Sequence, residues 1–89
     1  MVDVAQLESD RLKNTVRSFG WEWLGSEASG EVVKHTFVKD AKGMVPSVRM
    51  FEVERITSLC RSLGWSLVTS SIDGDVVRVV VEKKVGGVA

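Results

Sequence analysis

The chain contains one segment twice. Sliding the sequence by 44 positions lays Leu7–Asp40 on Phe51–Lys84 without a gap. Identities in this alignment include Arg11/Arg55, Arg17/Arg61, Ser18/Ser62, Gly20/Gly64, Trp21/Trp65, Ser26/Ser70, Gly30/Gly74, Val32/Val76, Val33/Val77 and Lys39/Lys83. Other positions match in kind, among them Leu12/Ile56, Asp10/Glu54, Leu24/Val68 and Lys34/Arg78. A unit of this size cannot bury its apolar side alone, so the two copies are expected to pack together about a pseudo-two-fold axis.

Each copy reads helix, strand, strand. Ala5, Ser9, Leu12, Val16 and Phe19 recur at helical spacing in the first copy. Val53, Ile56, Cys60 and Leu63, with Leu59 beside them, do so in the second. Asp3, three residues before Gln6, has the spacing of an N-terminal capping box, and Pro46-Ser47 is a start signal for the second helix. Gly20 and Gly64 should end the helices, because the residue after a helix commonly takes the left-handed conformation that glycine adopts without strain.

Past each glycine the period becomes two. Trp21, Trp23, Val33, His35 and Phe37 then share one face, as do Trp65, Leu67, Val77, Val79 and Val81. A three-residue loop, Ile72-Asp73-Gly74, keeps these sets in phase, with Trp65 opposite Val81, Leu67 opposite Val79 and Thr69 opposite Val77. Ala28-Ser29-Gly30 does the same in the first hairpin and sets His35 opposite Trp23. Both loops would close through a left-handed glycine in a bulge.

The expected fold class is α+β. It is a two-layer sandwich of αββ-αββ order, with a four-stranded antiparallel sheet and both helices on its Trp-bearing face. The valine-dense run Val76–Val81 suits an interior strand, which favours strand order 1-2-4-3, although 2-1-3-4 obeys the same symmetry. The chain is read as one domain over residues 1–89, with repeats 7–40 and 51–84, a linker at 41–50 and a tail at 85–89. Met44 and Val45 are apolar for a linker and are expected to tuck against the core.

Chemistry is scarce. The 12 basic and 12 acidic residues cancel, which gives no global field for nonspecific nucleic-acid binding. His35 and Cys60, the single histidine and the single cysteine, cannot make a zinc site, and both fall on apolar stripes. No phosphate-binding glycine loop, nucleophile elbow or dinucleotide fingerprint is present, so neither an enzyme nor a cofactor is expected. The lone cysteine, the lack of an apolar span and the lack of a secretory leader pattern point to a cytoplasmic protein. Asn14 and Gln6 are the only side-chain amides, a scarcity that hints at a thermophile.

The face of the sheet away from the helices is the candidate site. It should carry Leu24, Val32, Lys34, Thr36, Val38, Val68, Val76, Arg78 and Val80, with Glu22, Ser66 and Glu82 between them. That is more apolar than scattered surface hydrophobes require. The reading it supports is a non-catalytic interaction module that self-associates as a homodimer or takes a protein partner through this face. A nucleic-acid strand held by Lys34 and Arg78 is the alternative, and it is disfavoured because the aromatic residues point the other way.

Overall fold

Both helices end where glycine permits it. In the computed structural model, which describes residues 4–84, Gly20 and Gly64 have φ of +88° and +89°. Helix α1 (Val4–Arg17) leads into strands β1 (Glu22–Ser29) and β2 (Val32–Asp40), and helix α2 (Pro46–Ser62) leads into β3 (Ser66–Asp73) and β4 (Val76–Lys84). Asp3 and the tail 85–89 lie outside the described residues. Helix α2 starts at the expected proline, whose missing N–H costs nothing in a first turn, so residues 46–50 between the repeats are helical.

The strands form one antiparallel sheet in the order β1-β2-β4-β3. The valine-rich β4 is interior, as its composition suggests, and the α+β sandwich is the fold expected.

The hairpin loops differ from expectation. Asp73 faces Val76 and Ser29 faces Val32, which leaves two-residue loops, Gly74-Asp75 and Gly30-Glu31. Gly30 and Gly74 have φ of +60° and +59°, while Glu31 and Asp75 do not reach positive φ, the pattern of a type II′ turn. The extra residue sits further down the ladder. Each register shifts at Leu24, between Trp23 and Gly25, and at Val68, between Leu67 and Thr69. Parity is kept as expected, but it is restored within the strands and not in the loops. Leu67 faces Val81 rather than Val79, and Trp23 faces Phe37 rather than His35.

The core lies between the helices and one side of the sheet. Leu12 and Val16 from α1 and Val53, Ile56 and Cys60 from α2 close over Phe37, Val77, Val79 and Val81. Trp21 and Trp65 are each 1% exposed and are the largest buried side chains. Trp23 and Leu67, expected to be covered too, remain 40% and 38% exposed, because they sit on edge strands. Met44 packs against the core as expected, and Val45 does not.

Two lysines tie the layers together. Lys39 donates to Phe19 O at the end of α1 (3.1 Å) and pairs with Glu52 of α2 (3.1 Å). Lys83 donates to Leu63 O at the end of α2 (3.3 Å) and pairs with Glu8 of α1 (2.9 Å). Each lysine thus satisfies an orphan carbonyl of its own copy and pairs with a carboxylate of the other, by a hydrogen bond at Glu8 and by charge alone at Glu52, whose Oε2 has no hydrogen-bond partner. The hydrogen bond and the charge of Lys83 hold the Glu8 carboxyl below its ordinary range. Arg49 of α2 adds a third tie, donating to Met44 O (2.9 Å) and to Gly74 O at the β3–β4 turn.

Candidate functional site

On β2 and β4 strict alternation sends Val32, Lys34, Thr36, Val38, Val76, Arg78 and Val80 away from the helices, since Phe37, Val77, Val79 and Val81 are buried beneath them. Thr36 faces Val80, Val38 faces Arg78 and Lys34 faces Glu82. The edge strands bring Leu24 and Val68 to the same row, because the extra residue on each falls beside Thr36 and Val80 respectively.

The centre of this face is an uncharged row, Leu24–Thr36–Val80–Val68, that crosses all four strands. Leu24 is 58% and Val68 43% exposed. A shallow depression of about 270 Å³ opens along the row, lined by Leu24, Gly25, Thr36 and Val80 and bounded by Lys34 and Glu27. All nine residues proposed from the sequence for this face are therefore brought to one side of the sheet.

The two cations on it have unequal settings. Lys34 lies in register with Glu27 on one side and Glu82 on the other, so carboxylates flank it. Arg78 lies between Val38 and Ser71, and neither cation has an ion-pair partner within 4 Å among the described residues. The two occupy equivalent positions in the sequence, and their cross-strand neighbours separate them.

The other place where polar groups converge is inside the molecule. His35, 2% exposed, accepts a hydrogen bond at Nδ1 from Trp23 Nε1 (3.0 Å) and has Ser9 Oγ 3.0 Å from Nε2. Lys13 Nζ lies 4.3 Å from the centre of a Trp23 ring, a cation–π contact. The rings of Trp65 and Phe37 flank the imidazole at 5.2 and 6.2 Å.

A serine beside a histidine invites comparison with a nucleophilic dyad, and the bond directions reject it. A general base needs a lone pair on the nitrogen that meets the serine. Here the indole, only a donor, takes the Nδ1 lone pair, so Nε2 carries the hydrogen and donates to Ser9. Burial and the nearby Lys13 charge both lower the His35 pKa from its ordinary value. The sequence reading of His35 as a satisfied buried histidine holds, and its partners are identified.

Cys60 is buried on α2, and burial pushes its thiol up to about 11, which leaves it neutral and unreactive at physiological pH. Among the described residues, no helix is long and apolar enough to cross a membrane, and no three His, Cys, Asp or Glu side chains gather as a metal site.

No protein-family model, no curated protein and no solved structure matches this chain.

One pair of structural residues escaped the sequence reading. Glu8 and Glu52 are identical under the same 44-residue offset, and they are the carboxylates that the equivalent lysines Lys83 and Lys39 reach. The signal was present in the alignment. Charged helix positions are ordinarily read as solvated, which hid it.

Proposed function

We propose that this protein is a non-catalytic interaction module that self-associates through the open face of its sheet. The observation that carries the reading is the uncharged Leu24–Thr36–Val80–Val68 row, half-exposed at both ends and continuous across all four strands. Apolar surface left in water costs about 25 cal/mol per Å², and stacking two such faces removes it. A two-fold dimer needs only one self-complementary patch. The face offers Arg78 without an intramolecular carboxylate, and Glu22 on the same side stands ready to receive it from a second copy.

The charge pattern favours a protein surface over nucleic acid. Glu22, Glu27 and Glu82 share the face with Lys34 and Arg78, and Lys34 stands between two of these glutamates. A phosphate backbone would meet at least as many carboxylates as cations. The reduced, uncharged Cys60 suits a cytoplasmic setting.

Sedimentation or light scattering over a concentration series tests the proposal. The wild type should approach twice its 9.8 kDa chain mass as concentration rises. Val68→Glu with Val80→Glu should return it to the monomer mass with its circular dichroism unchanged. A wild type that stays monomeric at high concentration would overturn the reading. Oligonucleotide binding by that monomer at low salt, weakening steeply with added salt, would move the assignment to nucleic acid.

A further inference from the structure

We propose that His35 is a proton-operated latch that holds Trp23, and with it the edge strand β1, against helix α1. Hydrogen-bond direction carries the inference. The indole N–H can only donate, so the 3.0 Å bond from Trp23 requires a lone pair on His35 Nδ1. The hydrogen of the neutral ring is then on Nε2 and is given to Ser9 Oγ at 3.0 Å. An incoming proton has only Nδ1 left to occupy. Once it is there, two N–H groups point at one another across the former bond, and Trp23 loses its acceptor.

No carboxylate pairs with His35 among the described residues, and its neighbour in register on β1 is the uncharged Ser26. From α1 come Ser9 and the cation Lys13; from β2 the neighbours are Val33 and Phe37; from β4 the residue in register is Val81. Trp65 lies against the ring at 5.2 Å, and Lys83 Nζ is 5.7 Å from the Trp65 ring centroid. Helix α1 also carries Glu8, whose carboxylate is held by Lys83 at 2.9 Å. Burial and Lys13 accordingly oppose protonation, in keeping with the lowered pKa. The position on β4 equivalent to His35 is Val79, and the position equivalent to Trp23 is Leu67, so the second copy has no such latch.

With the bond broken, the Lys13 contact is what remains on the outer side of an indole that is already 40% exposed. The first copy then loosens at β1 on acidification while β3 does not respond. The sequence of events is proton uptake at Nδ1, loss of the Trp23 bond, and outward release of the indole.

The three indole N–H resonances and the His35 ring C–H resonances, followed by NMR from about pH 7.5 to about pH 5, provide the test. The range stops above the ordinary value of 4.5 for Glu8, so the Glu8–Lys83 pair stays intact. The Trp23 indole should move with the same midpoint as His35, below the ordinary 6.5, while Trp21 and Trp65 stay still. In Trp23→Leu, which copies Leu67, the His35 midpoint should rise by about half a unit or more, because Nδ1 is free to accept the proton. A Trp23 resonance that ignores the titration would overturn the latch. So would a His35 midpoint unmoved by Trp23→Leu, or three indoles shifting together as in global unfolding.

Discussion

The two copies share their ends and differ in their middles. At the ends, Gly20 and Gly64 have the same φ to within a degree, and Ser18 and Ser62 each donate to a carbonyl three residues back. Lys39 and Lys83 lie over the matching glycines and bond the matching carbonyls, Phe19 O and Leu63 O. In the middle, the first copy has Ser9, Lys13, Trp23 and His35 where the second has Val53, Thr57, Leu67 and Val79. The first set is a hydrogen-bonded polar cluster; Val53 and Val79 in the second belong to the apolar core.

The contrast separates what the backbone needs from what the interior tolerates. A helix must stop in a left-handed residue before a strand can turn back under it, and its last carbonyls need donors. Those requirements are the same in both copies and leave glycine, tryptophan and lysine unchanged. The space between helix and sheet has to be filled with few polar atoms stranded. In the second copy apolar side chains fill it around one unpartnered hydroxyl, Thr57 Oγ1, and in the first the Trp23–His35–Ser9 chain of donors and acceptors does so.

The first way to break this comparison carries the largest effect. Trp21→Ala and Trp65→Ala should each cost about 3–5 kcal/mol, the range for truncating a large buried aromatic. Urea unfolding of both variants would measure it. Nearly equal losses are expected, since each indole is 1% exposed and follows the same Gly hinge. A several-fold difference would mean that one copy is the core and the other an appendage.

A smaller effect tests the helix ends. Gly20→Ala and Gly64→Ala should each destabilise by about 1–2 kcal/mol, the strain of holding a side chain at left-handed φ. The Gly64 variant should be the worse of the two. A methyl there would meet Lys83 Nζ at 3.1 Å, against 3.4 Å from Lys39 Nζ at Gly20. The lysine tips are flexible, so the extra loss is small and comes from displacing the partly exposed Lys83–Glu8 ion pair. Equal or reversed losses in parallel thermal melts would show that the lysines do not press on these positions.

The helix stops and the interior place of β4 were legible because each rests on residue types with few alternatives: glycine at positive φ, a run of valines. The position of the bulge was not. Leu24 and Val68 are apolar and fit either side of a sheet, so nothing in the sequence told a bulge in the turn from one in the strand. The side of the sheet that Trp23 takes was legible and its 40% exposure was not, since alternation says which face a residue takes and not how far the helices reach. The open face was legible as a set of residues, and its central row became visible only once the register joined Leu24 and Val68 to Thr36 and Val80.

The smallest expected change sharpens the comparison most. Replacing Ser9, Lys13, Trp23 and His35 together by Val, Thr, Leu and Val would give the first copy the interior of the second. Removing Trp23 or Ser9 alone takes a partner from the buried His35, which costs about 1–3 kcal/mol; removing all four at once leaves only the hydroxyl brought in at Lys13→Thr, which copies the unpartnered Thr57 Oγ1. Trp23→Leu and Lys13→Thr remove more bulk than Ser9→Val adds, but both side chains are partly exposed, so the loss is open to solvent rather than a closed cavity. Stability at pH 7 should then stay within about 1 kcal/mol of the wild type. The pH dependence should not. His35 has a lowered pKa when folded, so the unfolded chain binds more protons as pH falls below about 6.5, and the wild type loses stability on that descent. The quadruple variant, with no histidine left, should hold its urea midpoint flat over the same descent down to about pH 5. A loss of more than about 3 kcal/mol at pH 7 would instead make the polar cluster a stabilising core in its own right, and the two interiors would not be interchangeable.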